Sequence, residues 1–192
     1  MKQFASLAGA IALANVFLMM PASAQSMQSK DAQIAEALKP LPEDLKAGAT
    51  VYMYDKNGDR KILREGTNAV ECSPKEEDGF TRCTSIVTRE RRDFQAKLKA
   101  QGKKPEEIQA AVAAATKEGK LKPVPFGTMS YRYSDDDKRI KVLWVMSVPG
   151  ATTATLGVST TSQRDAALKG HGLPWLMLPG TPGAHVMIPI NP

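Results

Sequence analysis

The stretch that decides the fold is Ile62-Leu63-Arg64-Glu65-Gly66-Thr67-Asn68-Ala69-Val70-Glu71-Cys72, followed by the polar run Ser73 to Arg82 and then Cys83. It holds the only two cysteines of the chain. Ahead of the Gly-Thr-Asn corner the residues alternate as in a strand, and beyond Cys83 the apolar spacing becomes helical. The stretch predicts a β element closed by a crosslink, with the rest of the chain packed on it. The enclosed Ser-Pro-Lys-Glu-Glu-Asp-Gly-Phe-Thr-Arg is polar and turn-rich, as an exposed loop should be.

The crosslink depends on compartment, which the amino terminus addresses. Lys2 precedes an uncharged apolar run from Phe4 to Met20, and Ala22-Ser23-Ala24 is a small-x-small cleavage signature. Residues 1–24 read as a cleaved signal peptide, leaving residues 25–192 as one domain with no transmembrane segment. The expected location is periplasmic or secreted, where two cysteines most simply pair. A bridge closing a loop of roughly 12 residues stabilises by about 3 kcal/mol in the chain-entropy picture. A reduced nucleophile or a metal ligand is the rival use of these cysteines.

Upstream, Ile34, Ala35 and Leu38 recur at helical spacing before Pro40, and residues 41–45 read as a turn. Asn57-Gly58 between Val51–Tyr54 and Arg60–Arg64 is a hairpin signal. A short strand should end near Cys72, and Thr84–Val87 should form another. Thr88 can cap a helix over Arg89–Ala100, with Phe94 and Leu98 on one face. Pro105 opens a second helix whose apolar face is Ile108, Ala111, Val112 and Ala115. Residues 89–120 thus predict a helical hairpin with small alanines at its seam. Met129–Tyr133, Ile140–Val148 and His185–Ile188 read as strands, with Pro189 limiting the last. Residues 150–162 have no clear pattern, and residues 164–169 suit one helical turn. The fold class expected is α+β: a mainly antiparallel sheet with a packed helical hairpin and one disulfide.

The chain carries a formal net charge of +6. Residues 89–122 supply ten Lys and Arg against five Asp and Glu. Arg89, Arg91, Arg92, Lys97, Lys103 and Lys104 therefore form a candidate weak contact for an anionic surface. Aromatic side chains for base stacking are nearly absent there, which argues against nucleic acid.

No Gly-x-Ser-x-Gly elbow, phosphate loop or dinucleotide fingerprint occurs, so no cofactor is expected. Asp55-Lys56-Asn57-Gly58-Asp59 opens like a calcium loop but places Arg60 and Gly66 where Gly and Glu belong. A zinc site of Cys72, Cys83, His171 and His185 fits by count alone and competes with the disulfide, so no metal is assigned. His185 follows a Gly/Pro-rich loop. As a general acid–base group, it would need Asn68 or Glu71 to orient its ring. Thr67, Asn68, Trp175 and His185 are the candidate ligand-binding residues, on the condition that they meet around one cavity.

At Leu63-Arg64-Glu65-Gly66-Thr67-Asn68, Cys72, Cys83 and His185-Val186-Met187-Ile188 the chain resembles a group of secreted bacterial proteins of uncharacterised function. Their shared features are an Asp/Asn-Gly turn, Leu-Arg-x-Gly-Thr-Asn, two nearby cysteines and a late Gly-x-His-x-Met-Ile. Ala184 stands where that pattern favours proline, and the basic helical segment has no counterpart in it. The resemblance implies export and a Cys72–Cys83 pair but no reaction. It marks Thr67, Asn68 and His185 as positions to test. The reading that follows is an exported, non-catalytic binding or envelope-associated protein. The alternative is a hydrolase-like enzyme using His185 with Asn68 or Glu71.

Overall fold

The computed structural model describes residues 29–190, and the signal peptide expected over residues 1–24 lies outside them. One eight-stranded sheet runs through the described residues. Its strands are β1 (Thr50–Tyr54), β2 (Arg60–Arg64), β3 (Val70–Ser73), β4 (Thr81–Ser85), β5 (Met129–Tyr133), β6 (Val142–Ser147), β7 (Trp175–Met177) and β8 (His185–Ile190). Their order across the sheet is β2-β1-β3-β4-β5-β6-β8-β7. Every neighbouring pair is antiparallel except β1 and β3.

The parallel pair follows from the opening stretch. Strand β2 returns antiparallel along β1 from the Asn57-Gly58 turn, ending with Arg64 opposite Val51. Residues 65–69 then cross the start of β1, and β3 runs beside it with Glu71 opposite Thr50. Cys72 and Cys83 are direct cross-strand partners, and they form the disulfide. Strand β4 thus begins at Thr81, inside the expected loop, and stops at Ser85 rather than Val87. A 3-10 turn, Ile86–Thr88, follows. The Thr88 hydroxyl donates to Ser85 O at 2.8 Å and does not cap the next helix.

Alternation along the strands gives two faces. One carries Val51, Cys72, Cys83, Tyr131, Trp144 and Val186. Helix α1 (Lys30–Ala37) covers part of it, where Ala37, Leu41, Ala49, Val51 and both cysteines form a buried cluster. Where a turn was expected over residues 41–45, a short helix, α2 (Glu43–Lys46), forms after Pro42. A second cluster on this face joins Val148, Leu176, Ala184 and Val186 with Leu156 of α5 (Thr153–Leu156). Thr152 and Thr155 cap α5 reciprocally, which places the segment that the sequence pattern left open.

The opposite face carries Tyr52, Glu71, Thr84, Arg132, Leu143, Val145, Trp175 and Met187. Leu143, Val145 and Trp175 are buried together there. Helices α3 (Arg89–Ala100) and α4 (Pro105–Lys117) follow each other across residues 101–104. Phe94 and Ile108 pack against Val112, Ala115 and Leu121. No residue of α3 is buried, however, and α3 meets the sheet through charged side chains.

The single-turn helix α6 (Arg164–Ala167) precedes β7, which the Gly/Pro punctuation around Trp175 had concealed. Strand β8 continues through Pro189 to Ile190, further than its prolines suggested. Leu176 N–H donates outward to Ser159 O, so the odd-numbered amides of β8 are the ones that face β7. Strand β7 begins at Trp175, opposite Met187, and the missing donor of Pro189 falls outside that boundary.

Candidate functional site

Residues 64–72 are committed to structure on both faces of the sheet. Arg64 Nη2 donates to Lys46 O at 2.6 Å and to Ala49 O at 2.7 Å. Gly48 O accepts from Thr67 N at 2.7 Å and Asn68 N at 2.9 Å. Asn68 Nδ2 donates to Leu45 O at 2.9 Å, while its Oδ1 accepts from Val70 N at 3.0 Å. A Cβ on Gly66 would lie 2.5 Å from the Ala49 carbonyl carbon, and closer still to Thr50 N and Gly48 O. The Leu-Arg-x-Gly-Thr-Asn block is therefore a strap over the entry to β1, held by bonds from Arg64, Thr67 and Asn68.

Glu71 projects to the other face and is 1% exposed. Arg89 donates to its Oε1 through Nε at 2.8 Å and Nη2 at 2.5 Å. Arg92 Nη2 donates to Oε2 at 2.5 Å, and Arg60 Nη1 reaches the same oxygen at 3.4 Å. Arg60 also stacks over Tyr52, 3.8 Å from its ring centre, and Arg92 donates to the Tyr52 hydroxyl. Asp93 Oδ1 accepts from Arg60 and from Tyr54 Oη, the latter at 2.6 Å. Burial, and then the bond to Asp93, push the Tyr54 hydroxyl well above the ordinary tyrosine pKa. Both Glu71 oxygens are occupied by guanidinium groups, so this carboxylate docks α3 and has no free lone pair to serve as a base. Removing it would leave the largely buried Arg92 without its carboxylate, while Arg60 keeps Asp93 and Arg89 is part exposed; the cost is about 3 kcal/mol. Sequence reasoning took Glu71 as a possible orienting group for His185. The signal for its actual partners was the Arg89-x-x-Arg92 spacing, which puts two guanidiniums on one helix face.

The structure does not bring the candidate site residues together. Thr67 and Asn68 lie at the strap before β3, whereas Trp175 and His185 lie on β7 and β8. Strands β3 and β8 are four places apart, roughly 19 Å at ordinary strand spacing. Trp175 and His185 share the face opposite the disulfide, and Trp175 is buried in the Leu143 cluster. His185 Nδ1 lies 2.8 Å from Gly183 O, within its own turn. Asn68 and Glu71 are spent on other partners, so neither orients that ring.

The cations of the basic segment are likewise mostly paired within the molecule. Arg89 and Arg92 hold Glu71, Lys97 pairs with Asp59 at 2.6 Å, and Lys103 pairs with Glu107 at 3.3 Å. Arg91 donates to Thr116 Oγ1 and Lys122 O, each at 3.0 Å. Of the six cations singled out, only Lys104 has no such side-chain partner among the described residues. At the hairpin turn, Asp55 Oδ1 accepts from Asn57 N and Asp59 N, both at 2.9 Å. Those turn bonds account for the calcium-like spacing.

An open groove lies beside the strap on the disulfide face, with a volume near 360 Å³. Val70, Met129 and Tyr131 form its floor, and Val87 and Phe126 stand at its rim, 57% and 63% exposed. Ser85 and Thr128 add hydroxyls, and no charged side chain lines it. Tyr131 packs edge-on against Trp144 with ring centres 5.4 Å apart. Burial, and then the nearby Asp44 charge, raise the Tyr131 hydroxyl pKa, so the ring stays neutral at physiological pH. Sequence reading missed this groove because it gathers residues from three separate segments, 69–70, 85–87 and 125–131. A second cavity, near 400 Å³, lies at the acidic Asp135-Asp136-Asp137 turn. There Asp135 is tied to Lys75 at 2.5 Å and Asp136 to Arg139 at 3.4 Å.

No family model, curated protein or solved structure matches the chain. Among the described residues, no helix is long and apolar enough to cross a membrane.

Proposed function

We propose that the protein is an exported, non-catalytic binding protein of the bacterial envelope or its surroundings, and that it holds a neutral apolar moiety in the groove beside the strap. The observation that carries this reading is the pair of exposed apolar side chains, Val87 and Phe126, over a floor of Val70, Met129 and Tyr131. Exposed apolar side chains grouped around a concavity mark contact sites more often than scattered ones do. The volume suits a small-molecule fragment or one acyl or aromatic arm, and the uncharged lining favours a ligand whose bound part carries no charge. Export after cleavage near Ala24 is supported by the amino-terminal pattern and by the disulfide, which belongs to an oxidising compartment. The hydrolase reading has no comparable support, because His185 stands away from both of its intended partners.

The test is to recover the protein from the periplasm or medium of bacteria expressing the full chain and titrate it with N-phenyl-1-naphthylamine, a neutral apolar fluorophore. Saturable enhancement is expected, weakened at least about tenfold in Phe126→Asp and Val87→Asp, since each charge must be desolvated beside the ligand. Equal titrations for the wild type and both variants would sink the reading.

A further inference from the structure

The cavity near 400 Å³ lies where three parts of the fold meet. They are the turn between β5 and β6 at residues 134–141, the end of β8 at Ile190, and the α6 region through Ala167, Leu168 and Gly170. The turn is tied down from several sides. Ser134 N–H donates to Lys141 O at 3.0 Å and closes it. Arg139 Nη1 donates to Asp78 O at 2.6 Å, and Arg164 Nη2 on α6 donates to Lys138 O at 2.9 Å. The walls are therefore in place before a ligand arrives, which lowers the ordering cost of binding.

Five charged side chains line this cavity, and three of them are spoken for. Asp135 pairs with Lys75, and Asp136 pairs with Arg139. Asp137 and Lys141 have no ion-pair partner among the described residues, and they do not pair with each other. Ser134 also lines the cavity and is 1% exposed. Its hydroxyl accepts from Asp136 N at 3.3 Å and donates to no acceptor among the described residues. A buried hydroxyl with an unspent proton is a group that a ligand oxygen would satisfy. The rest of the wall is largely apolar, from Ile140, Leu168 and Ile190.

These features select a ligand with two charges and an apolar arm. A lone cation drawn to Asp137 would meet Lys141, and a lone anion drawn to Lys141 would meet the aspartate turn. One exposed ion pair contributes little by itself, so both charges and the apolar wall must act together. We infer that this cavity binds a small zwitterion, an α-amino acid with an apolar side chain. Asp137 takes the ammonium, Lys141 and the Ser134 hydroxyl take the carboxylate, and Ile140, Leu168 and Ile190 take the side chain. The volume lies in the range of small-ligand sites. The site shares no lining residue with the apolar groove.

The experiment titrates the isotope-labelled, disulfide-bonded protein with L-leucine and follows its amide resonances by NMR. Saturable shifts are expected at residues 134–141 and 167–170. Two truncated analogues separate the charges: 4-methylpentanoate lacks the ammonium, and 3-methylbutylamine lacks the carboxylate. Each should bind at least about fivefold more weakly than leucine, the loss of one charge-assisted hydrogen bond or more. Asp137 and Lys141 are both exposed, so substitutions there leave the fold undisturbed. Asp137→Asn should no longer prefer leucine over 4-methylpentanoate, and Lys141→Met should no longer prefer it over 3-methylbutylamine. The inference fails if leucine gives no saturable shifts, or if the shifts fall on the groove at residues 125–131 instead. It also fails if the three compounds bind alike, or if either variant keeps the wild-type preference.

Discussion

At Gly66 the fold depends on the absence of a side chain. Its φ is not in the left-handed region, so the requirement is one of space: a Cβ would run into the backbone of Gly48, Ala49 and Thr50. Gly66→Ala should destabilise by about 3 kcal/mol or more, while Glu65→Ala next to it, at an exposed position, should stay within about 0.5 kcal/mol. Urea unfolding of the two variants gives that contrast directly. The Gly-Thr-Asn corner was visible in the sequence as a corner, but what it closes over was not, because its partners Leu45, Lys46 and Gly48 carry no marking pattern. Glu71 was misread for a related reason. A carboxylate between Val70 and Cys72 looks like the outward residue of a half-buried strand, and only the arginines of a later helix reverse that assignment. Cys72 and Cys83 were readable because their chemistry, given the compartment, has few other uses.

For the helices, sequence periodicity located α3 and α4 nearly to the residue, since apolar spacing and the Pro105 start signal are local. It misjudged how α3 is held. Phe94 and Ile108 serve the contact between the two helices, while the sheet-facing side of α3 is Arg89, Arg92 and Asp93. Such a dock carries a pH signature through Tyr54. The unfolded chain releases a tyrosine proton near about pH 10, whereas the folded chain retains it to higher pH. Folding then takes up a proton, so stability is fully present below about pH 10 and falls above it, by at most the slope of one proton. Tyr54→Phe lacks that proton, and its stability should fall less steeply through about pH 10 than that of the wild type. Chemical denaturation at a series of alkaline pH values measures the difference. The short pieces α5 and β7 were hard to place because each spans about one turn or three residues, too little for a period to register, whereas α6 falls within the single turn expected over residues 164–169.

Across the whole molecule, one sheet carries two apolar clusters on the disulfide face and a largely polar dock for α3 on the other. The mainly antiparallel character was readable from the hairpin signals. The parallel β1–β3 neighbour was not, since nothing in a period-2 pattern says which strand a chain will lie beside. Both cysteines are fully buried under α1, and Cys83 Sγ sits 3.2 Å from Ala37 O. Under native conditions the bridge should resist a thiol reductant, and it should yield only when urea exposes it. The Cys72→Ala/Cys83→Ala protein should fold with about 3 kcal/mol less stability. Thiol trapping with mass readout, with and without denaturant, and equilibrium unfolding of the double variant test the two statements.

The strap over the start of β1 also bears on how the molecule yields to tension. Residues 65–69 lie across Gly48–Thr50 and are anchored on the far side by β3, which the disulfide staples to β4. Force applied at the amino end would first strain the packing of α1 over the disulfide, then load the bonds from Arg64 and Asn68 together, as a buckle loads its pin. The crosslinked half of the sheet would stay shut behind it, so the part that opens first lies ahead of the strap.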